Sequence, residues 1–146
     1  MAFSAILSGI SKSYGDVHAN QGVELNIGKG TIHALVGENG AGKSTAMKIL
    51  FGLVSSDSGK IILDGKEVTA GWNPLRAFEH GVGMVHQHFM LAGPESVHDN
   101  LVLGVETSRF GIRDRAGERL ELEELMKRTG LVIPLDGPLE ALPIGQ

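Results

Sequence analysis

The chain has 146 residues, 21 of them glycine, no cysteine and a formal net charge of −4. That length suits one domain with a sizeable core, and the missing cysteines exclude a disulfide framework. The acidic balance argues against a broad nucleic-acid footprint, and no stretch approaches the roughly 18 apolar residues of a membrane span.

Taken in order, Phe3 to Leu7 reads as a first strand that ends at Gly9. Residues 11–16 (SKSYGD) then read as a polar turn carrying the single tyrosine, Tyr14. Neither segment has the charged leader and apolar run of a signal peptide, so a cytoplasmic chain without direct membrane insertion is expected. Val23, Leu25 and Ile27 alternate with Glu24 and Asn26 as a half-buried strand. Gly28–Gly30 then predicts a hairpin into Ile32–Val36, a short apolar run expected to be a buried strand. A helix is predicted over Ser44–Leu53, followed by a strand at Lys60–Leu63, a tight turn at Asp64-Gly65 and a return at Lys66–Val68. Trp72–His80 predicts a short helix with Pro74 in its first turn, and Val82–His86 another strand. Helices dominate thereafter, at His98–Leu103 and Arg113–Thr129. The second should bury Leu122, Leu125, Met126 and Thr129, leaving its Arg and Glu residues as a solvated face. A Pro-bearing loop then leads to a short segment at Leu139–Leu142.

Between the expected strand at 32–36 and the first helix lies GENGAGKST, Gly37 to Thr45. It fits the phosphate-loop spacing through Gly37, Gly42, Lys43 and Ser44. A loop running from a strand into a helix can aim several backbone N–H groups at one anion. Glycines at 37, 40 and 42 keep that approach free of side chains, and the helix start adds roughly half a positive charge. Lys43 is expected on the β- and γ-phosphates and the Ser44 hydroxyl on Mg²⁺. Glu38 and Asn39 are expected to act through their backbone.

These residues resemble the ATP-binding cassette (ABC) ATPases that power membrane transporters, and the likeness runs along essentially the whole chain. GENGAGKST resembles the family's Walker A motif. Tyr14 stands where the family places an adenine-stacking aromatic, Gln87 where it places the Q-loop glutamine, and Leu142–Gln146 (LPIGQ) where it places the signature motif. The runs MVHQHFML and DNLVLG are similar to ATPase subunits of bacterial nucleoside and simple-sugar importers. Two positions depart from the pattern. Pro143 replaces the signature serine, losing a hydroxyl and an N–H, and Ile144 replaces its first glycine.

The resemblance implies an α/β fold with a P-loop core and antiparallel β subdomain over 1–87. It implies a helical subdomain over 88–146, the whole being a cassette that is C-terminally truncated. It implies ATP and Mg²⁺ as cofactors, held by Tyr14, Gly37, Asn39, Gly40, Gly42, Lys43, Ser44 and Thr45. Ser44 and Gln87 would serve the metal, and Gln87, whose amide both donates and accepts, would serve catalysis. A second cassette and transmembrane permease subunits are the implied partners, at the inner face of the membrane. The family's Walker B aspartate, adjoining glutamate and switch histidine find no match up to Gln146, so ATP binding without turnover is expected. Two other readings stay open: a non-hydrolysing ATP-binding module, and another P-loop enzyme such as a small kinase. His86 and His88 flank Gln87, but a metal pair wants a third or fourth ligand, and none is indicated.

Overall fold

A computed structural model describes residues 3–86, 91–109 and 111–143. The chain divides into two compact units, 1–85 and 86–146.

The first unit is built on a long hairpin. Strands β1 (Phe3–Tyr14) and β2 (Val17–Gly28) pair from Phe3↔Gly28 to Tyr14↔Val17 around a two-residue turn, Gly15-Asp16. Gly15 supplies the positive φ, +58°, that such a tight connection needs. β1 therefore runs well past Gly9, and the polar segment at 11–14 is strand rather than turn. Gly9 is a bulge, not an end: it has φ +62°, and the registers with both neighbours shift there. The buried positions move from odd (Ala5, Leu7) to even (Ile10) across it, so both halves keep an inward face.

Strand β3 (Ser58–Leu63) pairs antiparallel with the other edge of β1, and β4 (Lys66–Glu67) follows through Asp64-Gly65. The sheet order is β2-β1-β3-β4. Helix α1 (Lys43–Leu50) lays Ala46 and Ile49 into one core with Leu7, Ile10, Leu25, Ile61 and Leu63. Helix α2 (Pro74–Glu79) is capped by Asn73, whose side chain accepts from the Arg76 N–H, and it adds Ala77. Trp72 closes the core and donates from Nε1 to Leu50 O at 3.0 Å.

Two predicted strands are absent. Residues 32–36 and 82–86 are not strand, and Ile32, Val36 and Val85 are almost fully exposed. The expected hairpin through Gly28–Gly30 does not form either: β2 pairs with β1 and stands at the edge of the sheet. An apolar run of this kind becomes a buried strand only with strands beside it and layers on both faces. Among the described residues of this unit, every other strand is committed to the four-stranded sheet.

In the second unit, α3 (Val97–Val102) is capped by Ser96 and α4 (Arg115–Thr129) by Asp114. Between them lie β5 (Ser108–Arg109) and β6 (Ile112–Arg113), a minimal hairpin. Gly130, at φ +73°, ends α4 by donating to Met126 O. Leu139–Ala141 forms one 3₁₀ turn. Val102, Leu122 and Leu135 make the core, with Met126 against it, whereas Leu125 is half exposed. Nor is the charged face wholly solvated. Glu118 is 2% exposed and accepts from Arg113 Nε at 3.0–3.1 Å. Arg113 also meets Asp99 at 2.7 Å, and Arg115 meets it at 2.8 Å. Helical spacing exposes a charge only where nothing packs beside it, and here β6 supplies the guanidinium.

Two expectations test this arrangement. Ile49→Ala should cost about 2–5 kcal/mol in urea unfolding, as core truncations do, while Ile32→Ala should stay within about 0.5 kcal/mol. Asp99 is held well below its ordinary value of 3.8 by the Ser96 hydroxyl and then by Arg113. A depressed carboxyl contributes stability above its unfolded pKa and loses it as pH falls. The melting temperature of Asp99→Asn should therefore fall less steeply than wild type below about pH 4.

Candidate functional site

The phosphate-loop motif opens directly into α1. Ala41 N–H donates to Glu38 O at 3.2 Å, closing a turn over Glu38 to Ala41. Gly40 and Gly42 have φ of +86° and +79°, conformations that other residues adopt only under strain. At Gly42 the constraint is double, because a Cβ would overlap the Ala19 carbonyl oxygen and the Asn20 side chain. Gly37 differs: its φ is ordinary, and a Cβ there would meet only normal contacts at 3.6 Å and beyond. The chain's own geometry does not require glycine at 37.

Helix α1 starts without a side-chain cap and without an acidic residue in its first turn. Among the described residues, each of the other three α-helices is capped, by Asn73, Ser96 or Asp114. The first N–H groups of α1, from Lys43, Ser44 and Thr45, thus stand at the positive end of the helix dipole. Lys43 curls back, and its Nζ donates to Gly37 O and Glu38 O, both at 2.7 Å. An ammonium has three donors, so one remains. Ser44 is exposed beside it.

Strand β2 holds this loop in place. The buried Asn20 donates from Nδ2 to Gly42 O at 3.2 Å, and its Oδ1 has no hydrogen-bond partner. Three residues back along the same strand, Val17 pairs with Tyr14. Tyr14 therefore sits at the tip of the hairpin that carries the loop, as the last residue of β1 and not in a loop. Its ring is half exposed, with Lys12 Nζ 5.7 Å from the centroid. Asp57 gathers the neighbouring residues, accepting from Lys12 Nζ and from the Ser13 N–H at 2.7 Å each.

Neither Asn20 nor Asp57 was singled out by sequence reasoning. Neither carried a local signal, because the partner of Asn20 lies 22 positions away and those of Asp57 more than forty. In the second unit, His98 is buried with Nε2 3.7 Å from Glu118 and Nδ1 3.8 Å from Asp99. Gln87, His88 and Ile144 to Gln146 lie outside the described residues. Pro143 is exposed after the 3₁₀ turn.

Comparison with known proteins gives the family. The model described as ABC transporter matches residues 20–146. The chain belongs to the ABC transporter family. It is 41% identical over 136 residues to the guanosine import ATP-binding protein NupO of Bacillus subtilis, covering 93% of this chain and 26% of that one. It is 43% identical over 141 residues to the ribose import ATP-binding protein RbsA 1 of Burkholderia thailandensis, covering 96% and 28%. The chain thus spans little more than a quarter of the length of these relatives. Its fold is similar to a crystal structure of a nucleotide-free ATP-binding cassette from an ABC transporter. That likeness has TM-score 0.76 at 22% identity, over 98% of this chain and 60% of that one. The mixed α/β architecture with an antiparallel sheet is that of an ABC ATPase cassette.

The two left-handed glycines should respond differently to substitution. Gly40→Ala, with nothing within 4 Å of the new Cβ, should cost only the backbone strain, about 1–2 kcal/mol. Gly42→Ala adds overpacking against β2 and should cost about 2–5 kcal/mol, read from urea unfolding midpoints.

Proposed function

We propose that this chain is the ATP- and Mg²⁺-binding portion of an ABC importer ATPase, with the phosphates held at the start of α1. The uncapped N-terminus of α1, inside a phosphate-loop motif, carries this reading. Its free N–H groups need an acceptor, and no side chain supplies one. The chemistry of the neighbouring residues fits. Gly37 and Gly40 leave room for backbone approach, Asn39 and Thr45 flank the turn, and Lys43 has a donor to spare. The exposed Ser44 hydroxyl is the group suited to Mg²⁺, with Gln87 proposed as its companion and as the residue that serves hydrolysis. Bound Mg²⁺ would neutralise phosphate charge.

Tyr14 is proposed as the adenine platform. Tyr14 and Asn20, which bonds the phosphate loop at Gly42, belong to one hairpin, and Val17, the partner of Tyr14, lies three strand residues or about 10 Å from Asn20. Residues 1–87 would be the nucleotide-binding core and 88–146 the helical subdomain. In the intact protein, two cassettes would hydrolyse ATP and drive permease subunits, to which the helical part would dock. The names of these relatives, all import ATP-binding proteins, support nucleoside or sugar uptake and a place at the inner face of the membrane. Among the described residues no helix is long and apolar enough to cross a membrane, which suits attachment through a partner.

Titration with a fluorescent ATP analogue and Mg²⁺ tests the proposal. Lys43→Ala should weaken binding roughly 10- to 150-fold, the worth of one charge-assisted contact of about 1.5–3 kcal/mol. Equal affinity in the two proteins would remove the phosphate site. Gln87→Ala should leave affinity within about threefold, because phosphate contacts carry most of the energy.

A further inference from the structure

We propose that Asp57 is a positioning residue for base recognition, fixing the ring of Tyr14 through Lys12 and Ser13. The inference rests on the reading of Tyr14 as the adenine platform and adds a residue to it. The pairing of β1 with β3 ends at Ser11↔Ser58, so the last three residues of β1 have no ladder partner on that side. Asp57, immediately before β3, extends the connection with its side chain. Its own N–H donates to Ser11 O at 2.8 Å, its Oδ2 accepts from Ser13 N–H at 2.7 Å, and its Oδ1 accepts from Lys12 Nζ at 2.7 Å. Three successive residues are thus tied to one aspartate, and Tyr14 is the next. From the opposite strand, His18 Nδ1 meets Ser13 Oγ at 2.8 Å, so the backbone leading into the ring is held from both sides.

The ion pair also sets which ring face is open. Lys12 and Tyr14 alternate onto the same side of the strand. With Asp57 anchoring it, the Lys12 ammonium lies 5.7 Å from the ring centroid, within the range of a cation–π contact. That contact takes one face, and the half-exposed ring would offer the other to a planar base. Stability alone does not account for the clamp. The Asp57 side chain is 47% exposed, and ion pairs that exposed contribute little to folding. Asp57 is held below the ordinary carboxylate range by Lys12 and then by the Ser13 N–H, as the geometry requires.

The test measures Mg·ATP and Mg·triphosphate affinity in the intact chain carrying Asp57→Ala, Asp57→Asn, Tyr14→Ala and the Tyr14→Ala/Asp57→Ala pair, with a thermal midpoint for each. Asp57→Ala should weaken ATP binding about three- to tenfold and leave inorganic triphosphate unchanged. Asp57→Asn, which still accepts from Ser13 but no longer anchors Lys12 by charge, should fall between. On a Tyr14→Ala background the Asp57 substitution should have no further effect. Where Asp57→Ala lowers the thermal midpoint enough to unfold the chain, Asp57→Asn carries the comparison. If Tyr14→Ala weakens ATP while both Asp57 variants match wild type, the clamp is refuted and the platform stands. If Tyr14→Ala is silent, the platform itself is wrong and the clamp falls with it. Equal losses for ATP and triphosphate, or additive losses in the double variant, would make Asp57 a support of the fold instead.

Discussion

The contact on which the first unit depends is the approach of Gly42 to β2. The backbone at the start of α1 lies so close to Ala19 and Asn20 that no side chain fits between them. Asn20 then bonds the Gly42 carbonyl, which also accepts the first helical bond from Ala46 N–H. One carbonyl therefore ties a strand to a helix, and the loop between them has little freedom in where it ends. Ala46 and Ile49 descend from that junction into the core under the sheet, so loop position and core packing are set together.

This arrangement separates rigid from adaptable parts. Residues 37–41 of the glycine loop are exposed and are held by short bonds of the loop itself, the Glu38 turn and the folded Lys43. Exchanging the Gly37 and Glu38 carbonyls for a phosphate would cost the lysine hydrogen bonds of similar kind, so the ammonium can swing without disturbing the helix behind it. The buried Asn20 does not share that freedom. Its Oδ1 lacks a partner inside a packed region, a local cost, while the other half of the amide fixes the Gly42 carbonyl.

What could be read in advance followed locality. The phosphate loop, the α1 start, the Asp64-Gly65 turn and the Asn73-Pro74 helix start are written in residues that sit next to one another. Gly9 misled because a bulge and a strand end use the same residue for the same dihedral reason. Residues 32–36 and 82–86 misled because an apolar run encodes a wish for burial, while the strands that would grant it are specified elsewhere. Asp57, Asn20 and Glu118 were invisible for a related reason. Their partners, Lys12 and Ser13, Gly42, and Arg113, come from other elements, and an isolated Asp, Asn or Glu looks like any surface residue. The family resemblance supplied what local pattern could not, the cassette fold as a whole.

The β1–β2 hairpin also bears on the order in which the chain folds. Its two strands are neighbours in sequence, joined by two residues, so closing it costs little chain entropy and hairpins of this kind form in about 1–10 μs. Pairing β1 with β3 must wait for the whole stretch containing the phosphate loop and α1 to be drawn in, a far longer closure. The surface that receives Gly42 is therefore in place before the loop arrives. A defect at the Gly15-Asp16 turn should slow the assembly of the nucleotide site without touching a single one of its residues.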